Sequence, residues 1–212
     1  MMDDQIGLMA DGAPRLVLAS ASKARAALLK AAGVNAHQRP AKINEAVVRA
    51  EMDKDPAKVP PAEVALELAR VKALVISVRT RRASVIGSDQ VLEFQGEILS
   101  KPADLAGARE QLMRLRGKSH FLHSAVCVAR DGRVVWQHVD SAKLTMRAFS
   151  PRFVDQYLAS AGRAALGSVG GYQIEGYGLQ LFSNISGDYF TILGMPMLPL
   201  LDYLRRAGVL SA

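Results

Sequence analysis

The sequence predicts an α/β fold, and three observations carry that prediction. Apolar runs of strand length alternate along the chain with segments of helical periodicity. No internal repeat, low-complexity tract or linker interrupts the alternation, so the 212 residues read as one domain, 1–212. Hydrophobic residues make up 50% and charged residues 22%, a balance that supplies a core and excludes collagenous, disordered and disulfide-rich classes. A chain of this size buries about 70% of its unfolded surface without staples.

The elements follow in order. Residues 1–14 read as a loose leader ending at Pro14. Arg15 to Ala19 is a short apolar run, read as a buried strand. Ser22 is placed to cap a helix over 23–32, with Leu28, Leu29 and Ala32 inward and Gly33 as its stop. Residues 35–61 read as loop with one short helix at most. From Pro61 a stronger helix begins, with Val64, Leu68, Val71, Val75 and Val78 as its apolar stripe. Glu63 and Glu67 near its start, and Arg79, Arg81 and Arg82 at or past its end, suit the helix dipole.

Val85 to Asp89 reads as a second buried strand ending in polar residues. Val91–Phe94 and Glu97–Leu99 read as a hairpin around Gln95-Gly96. Asp104 caps a helix with Leu105, Ala108, Leu112 and Leu115 on one face, ended by Gly117. Two long strands, 119–129 and 133–147, flank the turn Asp131-Gly132. Ser150-Pro151 opens a helix to about Ala161. Residues 162–178 are glycine-rich and read as loop. Strands are expected near 179–185 and 189–193, and a last helix from Pro196 to about Arg206.

Charge narrows the function classes. Lys plus Arg number 27 against 20 for Asp plus Glu, a net +7, which points to an anionic partner. Nucleic acid, phosphate ligands and a membrane surface all meet that description. No apolar run is long enough for a transmembrane helix, and the acidic start does not fit a secretory signal. The single cysteine, Cys127, allows no internal disulfide. A cytoplasmic protein is expected. Aromatics are only 6% and no nucleic-acid-binding motif is present, which weighs against nucleic acid; with the motifs that follow, a phosphate ligand is expected, and no nucleic acid and no membrane partner.

Four segments carry candidate chemistry. Ser20-Ala21-Ser22 with Arg25 sets two hydroxyls and a guanidinium at a helix N-terminus, which is either an anion site or a plain cap. Gly87-Ser88-Asp89-Gln90 puts a carboxylate directly after a buried strand, where it holds a cation, takes a proton from water, or caps a turn. Ser100-Lys101-Pro102 offers a lysine that either reaches back toward Asp89 or lies on the surface. The stretch 167–178 lets backbone approach a ligand, with Tyr172 or Tyr177 to stack on a base or to pack within the loop. It matches neither a P-loop nor a dinucleotide fingerprint. His120 and His123 sit three apart on a strand, hence on opposite faces, and do not form a joint metal site. Cys127, in an apolar strand, reads as an inert thiol.

Taken in order, these segments resemble the Maf family of nucleoside triphosphate pyrophosphatases, from about Leu16 to Leu204. The Ser20-Ala21-Ser22 turn and Arg25 match its opening motif, although Lys23 and Ala24 replace the usual proline and first arginine. Asn44-Glu45, Leu68-Ala69-Arg70-Val71-Lys72-Ala73, Gly87-Ser88-Asp89-Gln90-Val91, Ser100-Lys101-Pro102, Gly187-Asp188-Tyr189 and Leu193-Gly194-Met195-Pro196 resemble its further motifs.

The resemblance implies a mixed twisted sheet flanked by helices, in two lobes around a cleft, of the Maf and inosine triphosphate pyrophosphatase kind. It implies a homodimer, and hydrolysis of a nucleoside triphosphate to monophosphate and pyrophosphate with a divalent metal cation, Mg²⁺ or Mn²⁺. Asp89, Lys101 and Glu45 would be catalytic, with Glu45 and Asp89 at the metal. Ser20, Ser22, Arg25, Lys72, Gln90 and Glu175 would bind substrate. Gln90 and Glu175 resemble the branch acting on 7-methyl-GTP, whereas Ala24 stands where that branch has an aromatic residue, so the base is left open. The family's septum-formation label adds a further alternative, a cell-division regulator acting through a partner.

Overall fold

The computed structural model describes residues 8–10, 12–52 and 59–211. In chain order the elements are β1 (Arg15–Leu18), α1 (Lys23–Ala31), β2 (Ala36–Gln38), α2 (Glu45–Met52), α3 (Pro61–Ser77), β3 (Ala83–Phe94) and β4 (Glu97–Leu99). They continue as α4 (Leu105–Leu115), β5 (Ser119–Arg130), β6 (Arg133–Met146), α5 (Pro151–Ala161), β7 (Phe182–Ser186), α6 (Tyr189–Ile192) and α7 (Met197–Arg206). Three short 3₁₀ turns fill the glycine-rich stretch between α5 and β7.

The α/β expectation holds. The described strands form one mixed sheet in the order β2-β1-β3-β5-β6-β7, with β4 also on β3. β1 pairs parallel with β2 and β3, and the other pairings are antiparallel. The β5–β6 hairpin turns at Asp131-Gly132, where both residues have positive φ (47° and 78°), the geometry a two-residue hairpin needs.

Strand alternation divides the core. Ala125, Cys127 and Ala129 of β5 face α3, whose Val64, Ala65, Leu68, Ala69 and Ala73 cover them. The even residues face the other way. Val126 and Val128 meet Leu29 of α1 and Leu200 and Leu204 of α7. Leu122 meets Leu112 and Leu115 of α4 and Tyr157 of α5. One face of the sheet thus carries two separate helical groups.

Several expectations are corrected. Residues 189–193 are not a strand: Asp188 Oδ1 accepts from Thr191 N at 2.9 Å and starts the short helix α6. A side chain that caps the backbone locally outcompetes the strand preference of Tyr, Phe, Thr and Ile. Val85–Asp89 and Val91–Phe94 are one strand of 12 residues, so Asp89 lies within a strand and not after one. The loop at 35–61 contains a parallel strand, β2, as well as α2. The stripe on α3 turns away after Leu68, leaving Val78 63% exposed while Ala69, Lys72, Ala73 and Ile76 are buried. Small residues win that face because Gly87 of β3 lets the helix come close. A Cβ on Gly87 would lie 2.1 Å from the Ala69 carbonyl oxygen. Leu105, at the first position of α4, is exposed. The described end of the leader is not loose: Met9 bridges Leu210, and Ser211 N donates to Leu8 O at 2.9 Å. Residues 1–7 and 11 lie outside the described residues.

One topological feature positions the site. β1 and β4 flank the same edge of β3 at its two ends. β1 pairs as far as Ile86 and β4 begins at Leu92. Between them, Gly87 to Val91 has no described strand on that side.

Candidate active site

A cleft of about 890 Å³ opens at this gap. The nine residues that the resemblance implies as catalytic or substrate-binding all line it: Ser20, Ser22, Arg25, Glu45, Lys72, Asp89, Gln90, Lys101 and Glu175. Asp89 and Gln90 are neighbours on a strand and point to opposite faces. Both reach one cleft because the sheet is open beside them.

Asp89 faces α3. There the Lys72 ammonium donates to Asp89 Oδ1 at 2.5 Å and pairs with Glu45 Oε1 at 2.6 Å. The Lys72 and Asp89 side chains are only 10% and 9% exposed, against 45% for Glu45. Glu45 opens α2, where the Asn44 side-chain oxygen accepts from Ala46 N at 3.1 Å. Burial pushes the Glu45 carboxyl up, but the hydrogen bond and charge of Lys72, with Arg49 and Arg25 beyond, outweigh it. The net direction is down, so Glu45 stays ionised.

The Ser-x-Ser turn leaves β1 and starts α1. Ser22 Oγ accepts from Arg25 N at 3.3 Å, so the cap is real, and Ser20 Oγ accepts from Ser22 N at 3.2 Å. The first turn of α1 lines the cleft, presenting amides without intrahelical partners at the positive end of the helix dipole. The cap and the free amides that face the cleft are therefore the same structure. Arg25 turns back to the protein. It donates to the carbonyls of Gly194 (2.8 Å) and Ser88 (2.9 Å) and to Ser20 Oγ (3.3 Å). Burial lowers its pKa, countered by Asp89 and Glu45; an arginine remains charged under such a shift.

The far wall is held by β3 and β5. Gln90 Nε2 donates to Ser124 Oγ (2.9 Å) and to the carbonyls of Thr191 (3.1 Å) and Ile192 (3.0 Å). Ser88 Oγ donates to the Gly194 carbonyl at 3.0 Å. The amide nitrogen of Gln90 is thus committed to the closing segment, leaving its oxygen for a ligand. Lys101 and Glu175 stand exposed on the lining. Of the two tyrosines, Tyr172 is buried against His120 and Phe182, with 2.6 Å between its hydroxyl and His120 Nε2. Tyr177 is exposed and lines no part of this cleft.

His120 and His123 do face opposite ways. His123 shares hydrogen bonds with Glu93 (2.8 Å) and Ser141 (2.7 Å). Burial lowers the His120 pKa to about 4 and raises the Cys127 thiol to about 12, so both are uncharged near neutrality. Sequence reasoning missed Arg49, which lines the cleft. Its signal was present: it lies four residues after Glu45, hence on the same face of a helix.

Among the described residues no group of three or more His, Cys, Asp or Glu is arranged to hold a metal. Glu45 and Asp89 nevertheless meet at one point, the Lys72 ammonium. Two hard carboxylates on one point suit a hard divalent cation, which takes one or two carboxylates and completes its shell with water and phosphate oxygens.

Comparison with known proteins gives the family. Residues 15–207 match the family described as Maf-like protein. The chain is 46% identical over 197 residues to a 7-methyl-GTP pyrophosphatase of Mesorhizobium japonicum, covering 93% of this chain and 98% of the relative. It is 50% identical over 194 residues to a nucleoside triphosphate pyrophosphatase of Paramagnetospirillum magneticum, covering 92% and 99%. A nucleoside triphosphate pyrophosphatase of Hyphomonas neptunium is 47% identical over 195 residues, covering 92% and 97%.

Proposed function

The chain belongs to the Maf-like protein family, and from that premise we propose that its cleft hydrolyses a nucleoside triphosphate between the α and β phosphates. The products are the nucleoside monophosphate and pyrophosphate. The observation that carries this reading is the meeting of Glu45, Lys72 and Asp89 beside the first turn of α1.

Each group has a part. The α1 amides, Lys101 and Lys72 offset the phosphate charge, and Arg25 fixes the wall against which the phosphates rest. Phosphoryl transfer depends mainly on such positioning and electrostatics. Asp89 accepts the proton of the attacking water as the new P–O bond forms and the phosphoanhydride bond breaks. Glu45 and Asp89 would hold a divalent cation, whose chemistry there is to neutralise developing phosphate charge.

A more specific reading concerns the base. Glu175 gives the cleft an exposed carboxylate, suited to accept from a guanine N–H edge and to face a cationic 7-methylated ring. Together with the names of several relatives, this supports 7-methyl-GTP as the substrate.

A panel of ordinary and modified triphosphates with Mg²⁺ or Mn²⁺, assayed for pyrophosphate, tests both levels. Wild type should release pyrophosphate, fastest from 7-methyl-GTP, and Asp89→Asn should lose about 10²-fold or more. Release of none, or full activity in Asp89→Asn, overturns the reaction. Equal rates across the bases overturn only the finer reading.

A further inference from the structure

Lys72 is engaged by two acids at once. Its ammonium touches Asp89 at 2.5 Å and Glu45 at 2.6 Å, and its side chain rises from the buried face of α3. Around that point the charged groups are two acids, Glu45 and Asp89, and three bases, Lys72, Arg25 and Arg49. Arg25 is tied to the carbonyls of Ser88 and Gly194. Lys72 alone contacts both acids directly.

Two carboxylates held against one ammonium, Asp89 buried and Glu45 half exposed, repel each other unless a cation lies between them. The position equally near both is where a hard divalent ion bound by the pair has to sit. An ammonium and a divalent ion repel each other, so the two cannot share it.

We propose that Lys72 is the resident counter-ion of the Glu45–Asp89 pair, and that it holds this place against free divalent cations. The inference rests on reading the cleft as a triphosphate site. A flexible four-carbon stem lets the ammonium leave the pair. When a nucleotide enters with its own cation, the ammonium moves to the phosphates. The empty cleft is then a weak site for free cations and a strong one for the cation–nucleotide complex, with the same lysine setting both.

The test uses Mn²⁺ alone, titrated calorimetrically into the nucleotide-free full chain. Lys72→Met removes the competing charge with little change of length. It should bind Mn²⁺ about tenfold tighter or more, and the double variant with Asp89→Asn should lose that gain. Equal or weaker binding by Lys72→Met overturns the proposal. Should that variant not fold, amine acetylation of wild type decides, read at Lys72 by mass spectrometry. Labelling should accelerate severalfold in saturating Mn²⁺, and an unchanged or slower rate overturns the proposal. Neither readout involves turnover. Pyrophosphate release with unmoved Mn²⁺ affinity removes this inference and leaves the function, and the converse result removes the function and leaves the displacement.

Discussion

The Arg25 guanidinium donates to the Ser88 carbonyl at 2.9 Å, in the stretch of β3 that β1 and β4 leave uncovered. Along the strand, the Ile86 carbonyl meets Ala19 N at 2.8 Å, and two residues later Arg25 takes over the role of the missing strand. The same side chain holds the Gly194 carbonyl at 2.8 Å. Arg25 therefore keeps the gap open and its walls fixed.

Arg25→Lys should accordingly be costly, although it keeps the charge. A lysine has one nitrogen and cannot serve both carbonyls with a rigid fork. The Gly194 carbonyl keeps the Ser88 hydroxyl as a donor, whereas the Ser88 carbonyl has Arg25 as its one described donor, and leaving it unsatisfied costs about 1–3 kcal/mol. Urea denaturation should show a loss of that order. An unchanged midpoint would mean that Arg25 acts only on substrate.

Gly87→Ala tests the close approach of α3. The added Cβ would meet the Ala69 carbonyl oxygen at 2.1 Å and Ala73 N at 2.7 Å. Both are backbone atoms, so the helix has to move. Such overpacking costs about 1–3 kcal/mol, or more where nothing yields. At about 2–4 °C per kcal/mol for a chain of this size, a thermal melt should register it. Because α3 carries Lys72 and β3 carries Asp89, activity should fall further than in a surface variant of equal stability.

These two positions show what the sequence made legible. Local chemistry survived the comparison: Ser22, Asp104 and Ser150 cap the helices they were expected to cap. The order of motifs placed Glu45, Lys72 and Asp89 together, and they do touch. Long-range packing was illegible. The valine stripe on α3 looked inward, yet the alanines won the interface because Gly87, on another element, admits a close helix. Tyr189 to Ile192 looked like a strand, since one aspartate acting as a cap weighs little in an apolar run. The motif points Arg25 toward substrate, and its sequence position carries no sign of a second, structural bond. Its tie to Ser88 depends on a break in the sheet that only strand pairing reveals.

A pH dependence follows from His120. It is 1% exposed, with its only described hydrogen bond to the Tyr172 hydroxyl, and burial lowers its pKa to about 4. In the unfolded chain a histidine takes a proton below about 6.5. Between these values the unfolded state binds more protons, so stability falls as pH drops from about 6.5 to about 4 and is unaffected above. The full difference is of order 3 kcal/mol. Denaturation midpoints across that range should slope in wild type. They should flatten in the His120→Phe/Tyr172→Phe double variant, which leaves no hydroxyl stranded. An equal slope in both would assign the effect to other groups.

Arg49 gives a kinetic prediction. It lies one turn beyond Glu45 on α2 and lines the cleft, and its Nε is buried without a hydrogen-bond partner. Its charge helps hold the Glu45 carboxyl ionised. A buried, unpartnered donor at the edge of an anion site is placed to meet a phosphate oxygen, and charge-assisted bonds of this kind contribute about 1.5–3 kcal/mol. The departing pyrophosphate has the same oxygens as the outer two phosphates of the substrate. Arg49→Met should therefore raise KM for the triphosphate roughly 10- to 100-fold and weaken inhibition by pyrophosphate in parallel, with kcat nearly unchanged. Arg49→Lys should recover part of both. Steady-state rates with added pyrophosphate measure the two together. A raised KM without weaker product inhibition would place Arg49 against the nucleoside or α-phosphate, and a fall in kcat alone would make it a positioning residue for Glu45.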